Sequence, residues 1–161
     1  MTENVSQEII FDPSFVKHFL KAVTFPEVID QLSANLLAKN LVTTDYPQAV
    51  KDREEKFPTG LPTEPIGVAI PHTDAQFVKT NAVSVGILST PIMMMVMGSE
   101  NDKVEVSIIF LLSLGQSNKQ LNILKRIMTV VQDQEMLNEF KTASDARVAK
   151  FVKKAILGEL K

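Results

Sequence analysis

Cysteine is absent from this sequence, and histidine occurs only twice, as His18 and His72. Without cysteine the chain can form no disulfide framework, no thiol nucleophile and no cysteine-ligated zinc or iron–sulfur site. Two histidines also exclude a metal site built from three histidines of one chain. The missing cysteines give no sign of an oxidising compartment, and we therefore predict a cytosolic protein.

Long hydrophobic runs are missing as well. The most apolar segment, residues 104–114, is interrupted by Glu105 and Ser107 and is too short to span a bilayer. The first twenty residues include three carboxylates and no long apolar stretch, which predicts that the chain has no signal peptide. We expect no direct insertion into a membrane.

A strong charge of either sign is also lacking, because 17 basic and 19 acidic residues leave a net charge of −2. This balance argues against a general affinity for nucleic acid or for an anionic membrane. The distribution is uneven, since residues 1–118 carry a net charge of −6 and residues 119–161 a net charge of +4. The basic residues of the second region recur among apolar ones at helical spacing. We interpret them as a solvated helix face, with a nucleic-acid patch as the alternative.

What the chain does have is the composition of a globular protein of 161 residues, 45% hydrophobic and 22% charged. A chain of this length buries roughly two-thirds of its unfolded surface, so it needs no disulfide or metal to fold. The sequence contains no repeat, low-complexity tract or linker. We predict one domain over residues 1–161.

Helical signals open the chain and close it. Residues 24–39 begin with a threonine cap, an early proline and a glutamate three residues after the cap, and an apolar stripe follows. A second helix is predicted near residues 44–57, before a proline-rich extended loop at residues 58–65. From Ser117 the spacing is again helical. Asp133 and Ser144 are capping residues that predict two further helices.

The middle of the chain is rich in strand signals. A short first strand is predicted at residues 7–11, and later strands at residues 67–70, 82–88, 92–97 and 104–112. The last of these continues as an unbroken apolar run, as expected of a central strand that is covered on both faces. This order of elements predicts an α/β fold, a single-domain sandwich with a mixed four- to five-stranded β-sheet and helices on both faces.

The segment most informative about chemistry is the short apolar strand that leads through Pro71 to His72. Open α/β sheets place ligand sites at the carboxyl ends of their strands, where loops converge. An imidazole there is often neutral and nucleophilic at cellular pH, which suits reversible capture of a phosphoryl group. The alternative is that His72 only makes a hydrogen bond within a turn.

The run from Leu61 to Thr73 resembles the active-site signature of the enzyme IIA domains of the mannitol–fructose class in the bacterial phosphoenolpyruvate-dependent sugar phosphotransferase system. The resemblance covers residues 5–158. Arg53 precedes the strand at the family's spacing, and the segments that resemble the family's central β-segment and following helix are residues 98–114 and 117–124. The sequence Pro-Thr-Glu-Pro before the strand is most similar to the galactitol-specific branch.

The resemblance implies a phosphohistidine mechanism without cofactor or metal. His72 matches the histidine that accepts a phosphoryl group from the phosphocarrier protein HPr and passes it to a cysteine of enzyme IIB, which serves the membrane component enzyme IIC. Arg53 matches a basic residue that faces the phosphoryl group, where a planar guanidinium can hold two oxygens. Without the resemblance, Arg53 is interpreted as a solvated arginine in an acidic run.

Two positions depart from the family pattern. Many relatives have a second histidine where this chain has Gln120, whose amide can donate a hydrogen bond but cannot transfer a proton. Gln120 is equally placed to be the capping partner of Ser117. Thr73 stands where a smaller residue is common, and its hydroxyl can bind phosphate or cap the turn. Asp74 and Glu64 flank the histidine, and the spacing selects neither as its partner.

The sequence therefore predicts the phosphocarrier subunit of a system that takes up a sugar alcohol, galactitol by resemblance. The expected catalytic residues are His72 and Arg53, and the expected phosphate-binding residues are Arg53, Thr73 and Gln120. Two alternatives stay open. One is a regulatory enzyme IIA relative that signals its phosphorylation state to a partner protein, and the other is a binding module that has lost phosphoryl transfer.

Overall fold

The computed structural model describes residues 9–115 and 118–157, and for residues 118–121 it describes the backbone alone. Its centre is a five-stranded mixed sheet of order β1-β4-β5-β3-β2. β1 is parallel to β4 and β3 is parallel to β5, whereas the pairs β4–β5 and β2–β3 are antiparallel. The strands are β1 (Val16–Phe19), β2 (Gly60–Leu61), β3 (Gly67–Ala69), β4 (Ala82–Met95) and β5 (Lys103–Ser113).

Within the described residues, five α-helices cover the two faces of this sheet. They are α1 (Phe25–Ala38), α2 (Tyr46–Lys56), α3 (Asn118–Val130), α4 (Gln134–Thr142) and α5 (Asp145–Val152). Three short helical turns complete the described chain, namely Pro13–Phe15, Ala75–Phe77 and the π-helical turn Lys153–Leu157. The prediction of a single-domain α/β sandwich with helices on both faces is confirmed.

β5 shows why the sheet can be covered on both sides. Ile108 and Phe110 pack into one apolar core with α3, α4 and α5, whereas Ile109 and Leu111 pack into a second core with α1 and α2. Successive side chains of a strand point to opposite faces, so only an unbroken apolar run supplies both cores. The prediction of a central strand covered on both faces is therefore confirmed.

Local capping signals place the helix starts. Thr24 and Glu27 form a reciprocal capping box at the start of α1. The side chain of Asp133 accepts a hydrogen bond from the first turn of α4, and that of Ser144 does the same for α5. These three predictions are confirmed. Ser117, the predicted cap of α3, lies outside the described residues.

The prediction of a first strand at residues 7–11 is wrong for the residues described there. Ile10 forms only an isolated bridge with Ala82. Asp12 then starts a helical turn by accepting a hydrogen bond from the amide of Ser14 at 2.8 Å. The edge strand follows at Val16–Phe19, where the two end residues are buried and the two between them are exposed or half-buried.

The predicted break between two strands at residues 89–91 is also wrong, because β4 continues through it. Pro91 is tolerated since β1 pairs with β4 only as far as Leu88, and the register with β5 shifts between Ile87 and Ile92. A proline needs no ladder partner at such an edge. The loop predicted at residues 58–65 contains the two-residue strand β2, which extends the edge of the sheet.

Candidate active site

Two parallel strands bring the candidate site to one edge of the sheet. Beyond the last paired residue of β3, the carbonyl of Pro71 accepts a hydrogen bond from the amide of Leu112 in β5 at 3.0 Å. At the start of β3, Gly67 allows the close approach of β3 to β5, because a Cβ there would lie 2.3 Å from the carbonyl oxygen of Glu105. The chain therefore leaves β3 on a fixed path, and His72 is the next residue after the last bond.

The hydrogen bond of the His72 ring sets which nitrogen is available for chemistry. Nδ1 lies 2.8 Å from the carbonyl oxygen of Ile70, and a carbonyl can only accept. We therefore assign the proton of the neutral ring to Nδ1, which leaves the lone pair on Nε2. The side chain is half-buried and lines a depression of ≈ 570 Å³.

The depression is lined by both polar and apolar side chains. The polar ones include Arg53, Thr73 and Asp74, and the apolar ones include Leu114 and Leu124. Leu124 belongs to α3, Arg53 to α2, and the others to the segments that follow β3 and β5. Four separate parts of the chain thus line the depression.

Arg53 reaches the site because α2 is anchored to β5. Tyr46, Val50 and Arg53 follow the i, i+4, i+7 spacing of one helix face, and the first two are fully buried. The Tyr46 hydroxyl donates to the carbonyl oxygen of Leu112 at 2.7 Å. Complete burial raises the pKa of the Tyr46 hydroxyl far above its usual range, so it remains a donor.

The Arg53 guanidinium is held from two sides. Nη1 donates to the Asp74 carboxylate at 2.9 Å, and Cζ lies 5.1 Å from the centre of the Phe57 ring. Nε is buried, and no acceptor within residues 9–115 and 118–157 reaches it. The group therefore presents an ordered donor surface in which a buried N–H points to no protein acceptor.

The structure brings three of the predicted site residues into one depression, namely Arg53, His72 and Thr73. Gln120 lies in the first turn of α3, but its side chain is outside the described residues. Of the two flanking carboxylates, Asp74 pairs with Arg53, whereas Glu64 lines a different depression. The roles of Tyr46 and Asp74 were not predicted. The i, i+4, i+7 spacing from Tyr46 to Arg53 nevertheless indicates, from the sequence alone, that these residues share one helix face.

His18 lies away from this depression and has both ring nitrogens engaged. Nδ1 forms a short contact with the Asp145 carboxylate, and Nε2 lies 2.8 Å from the carbonyl oxygen of Phe140. The side chain is 18% exposed. It joins β1 to the junction of α4 and α5.

In the described part of the chain, no helix has the length and apolar character needed to cross a membrane. Within the same residues, no group of three or more histidine, aspartate and glutamate side chains is placed to hold a metal ion.

The architecture and the site together define a class of protein: an α/β sandwich in which a histidine at a strand end and an arginine line the same open depression. Residues 9–155 match the family described as the phosphoenolpyruvate-dependent sugar phosphotransferase system, EIIA 2. The chain belongs to this family.

Relatives and solved structures are consistent with that membership. The galactitol-specific EIIA component of Escherichia coli K12 is 27% identical over 143 residues, which are 89% of this chain and 95% of that protein. The complex of enzyme IIAMTL and phosphorylated enzyme IIBMTL from Escherichia coli has a chain with TM-score 0.71 and 18% identity, covering 94% of this chain and 100% of that one. The nitrogen regulatory protein IIA-Ntr of Neisseria meningitidis aligns with TM-score 0.69 and 20% identity, covering 88% and 94%.

Proposed function

We propose that this protein is a cytosolic phosphocarrier that accepts a phosphoryl group on Nε2 of His72 and passes it to another protein. One observation carries the proposal. The Nδ1–H of His72 is bound to the Ile70 carbonyl, so Nε2 is the nucleophilic nitrogen of a ring that shares its depression with the Arg53 guanidinium.

The transfer balances without a separate base. The lone pair of Nε2 forms the new P–N bond while the bond from phosphorus to the donor nitrogen breaks, and its electron pair returns to the donor. The His72 ring keeps its Nδ1 proton and becomes positively charged. The Ile70 carbonyl directs its negative end at that proton and stabilises the charge. The reverse attack, by an acceptor on the same phosphorus, regenerates the neutral ring.

Arg53 is the proposed clamp for the phosphoryl oxygens. Its guanidinium carries five planar N–H donors with the spacing that phosphate oxygens match, and Asp74 occupies one of them. Thr73 lines the same depression and adds a hydroxyl donor. Gln120 is the proposed third phosphate-binding residue, in the position of the family's second histidine.

The proposed donor is phosphorylated HPr, and the proposed acceptor is enzyme IIB of the same transport system, which serves enzyme IIC. A chain aligned with ours is an enzyme IIA in complex with phosphorylated enzyme IIB, which supports this pairing. Galactitol is the proposed transported polyol, because a galactitol-specific EIIA component is 27% identical over 89% of this chain.

Phosphorylation by the general enzymes of the system tests the proposal. The purified protein is incubated with phosphoenolpyruvate, enzyme I and HPr, and the acid-labile phosphate is counted and mapped. We expect His18→Gln to be labelled like the unmodified protein and His72→Gln to carry no label. Label that persists in a folded His72→Gln protein would show that another residue is the acceptor.

The acceptor is tested with the labelled protein. We expect label to pass rapidly to a galactitol-specific enzyme IIB and slowly to a mannitol-specific one. Equal rates would remove the galactitol assignment and keep the phosphocarrier function. Label that passes to neither domain would favour the regulatory alternative.

A further inference from the structure

The residue that holds His72 is itself held by a side chain from the loop after α2. β3 ends at Ala69, and the amide of Ile70, one residue further on, donates to Oγ1 of Thr59 at 3.2 Å. Ile70 is also the residue whose carbonyl accepts the hydrogen bond from Nδ1 of His72. One buried residue therefore joins Thr59 to the proposed nucleophile.

Thr59 is fixed in turn by Glu54, a residue of the last turn of α2. One carboxylate oxygen of Glu54 accepts from the Thr59 amide at 2.8 Å, and the other accepts from the Thr59 hydroxyl at 2.8 Å. Because the hydroxyl has a single proton and donates it to Glu54, the oxygen can only accept from Ile70. The direction of every hydrogen bond in the line is thereby set.

Burial makes this arrangement costly for the carboxylate. It raises the pKa of Glu54, and the two hydrogen bonds from Thr59 act in the opposite direction. Thr59 itself is only 4% exposed, so water has little access to its hydroxyl. A partly buried acid and a buried hydroxyl are thus dedicated to one backbone amide, two residues before His72.

We infer that Thr59 and Glu54 are positioning residues for His72, which hold the Ile70 carbonyl where it selects the Nδ1–H tautomer. The inference rests on the proposed function, in which Nε2 is the nucleophile. No proton moves along the line, and its effect is geometric. A displacement of a reacting group by about 1 Å can cost on the order of 10²-fold in rate, so fixing the carbonyl matters for transfer.

The other end of β3 provides a matched control. The Gln134 side chain accepts from the amide of Ile66 at 2.9 Å and donates to its carbonyl oxygen at 3.1 Å. Gln134 therefore binds the backbone beside the same short strand, but before the strand rather than after it. We expect replacement of Gln134 to loosen the strand and to leave the bonds of Ile70 in place.

The first experiment compares Thr59→Val, Thr59→Ser and Gln134→Met by two measurements. One is side-chain ¹⁵N NMR of the His72 ring, which distinguishes Nδ1–H from Nε2–H, and the other is the initial rate of phosphorylation by HPr. We expect Thr59→Val to show a mixture of tautomers and to react about 10- to 100-fold more slowly. Thr59→Ser restores the hydroxyl and should match the unmodified protein, as should Gln134→Met.

The second pair of variants keeps the test valid if Thr59→Val does not fold. Glu54→Gln removes one acceptor of the line, whereas Asp52→Asn changes an exposed carboxylate of the same helix that accepts a hydrogen bond from Gln48 at 3.0 Å. We expect a mixed His72 tautomer in Glu54→Gln and an unchanged one in Asp52→Asn.

An unmixed Nδ1–H tautomer in folded Thr59→Val or Glu54→Gln, with an unchanged rate, would overturn the inference. So would equal effects of Thr59→Val and Gln134→Met, since that result indicates general loosening of β3. The NMR measurement needs no phosphoryl transfer. If HPr never phosphorylates the protein, the proposed function is refuted. The positioning role is then still tested by the tautomer measurement.

Discussion

The two histidines of this chain have similar surroundings and opposite availability. Both side chains are partly buried, and both bind a backbone carbonyl oxygen at 2.8 Å. The second ring nitrogen of His18 is taken by Asp145, whereas that of His72 is left to the depression beside Arg53. The difference teaches that exposure does not separate His18 from His72, the proposed nucleophile. The number of engaged ring nitrogens does.

Among the predictions, replacement of Arg53 should have the largest effect, because Arg53 lines the depression of His72 and not the surroundings of His18. Lysine keeps the charge but cannot reproduce the bidentate guanidinium, so Arg53→Lys should slow transfer to and from His72 on the order of 10²-fold. Initial rates with phosphorylated HPr give the measurement. The control is Arg147→Lys, because Arg147 also lies over a phenylalanine ring, 5.7 Å from the centre of Phe151. Unchanged rates in Arg53→Lys would indicate that Arg53 is a solvated arginine that takes no part in transfer.

Stability should separate the two histidines in the opposite sense. His18→Ala removes both bonds that join β1 to the α4–α5 junction, one of them to a carboxylate, and should lower the free energy of unfolding by about 1–2 kcal/mol. His72→Ala removes one bond at the rim of a depression and should cost about 0.5 kcal/mol. Urea unfolding of the two variants measures the difference. Equal losses would mean that the engaged nitrogens of His18 contribute nothing specific to the fold.

The smallest expected effect concerns Gln120, which the resemblance places where many relatives have a further histidine. A capping role predicts that Gln120→Ala loses roughly 0.5–1 kcal/mol of stability with nearly unchanged transfer, whereas a phosphate-binding role predicts slower transfer. We expect both losses in modest size. Gln120→His should stay active, and its rate should vary more between about pH 6 and 8, because the added imidazole titrates there. A flat pH profile, together with an unaffected Gln120→Ala, would remove Gln120 from the site.

The parts of the fold that were predictable are those encoded by neighbouring residues. The capping box at Thr24 and the caps at Asp133 and Ser144 act within one helical turn, and all three predictions hold. The unbroken apolar run of β5 also identified the central strand. The continuity of β4 through Pro91 was not predictable, because it depends on where the neighbouring strand β1 stops.

The site divides in the same way. The strand β3, Pro71 and His72 follow one another closely in the sequence, so this part of the site was predictable. The pairing of Arg53 with Asp74 joins residues 21 positions apart, and that of His18 with Asp145 joins residues 127 apart. Such contacts follow from the order of strands in the sheet. No spacing within a single element carries that information.

The two apolar cores on opposite faces of the sheet have a consequence for how transfer is lost. Arg53 extends from the layer of α1 and α2, Leu124 from the layer of α3, and His72 from the sheet between them. Neither layer contains a complete site. Shear of one helical layer across the sheet would change the gap between Arg53 and Leu124 while each core stayed packed. In the proposed mechanism, transfer therefore requires three layers in alignment, and a protein with an intact His72 and native-like helix content can still be inactive.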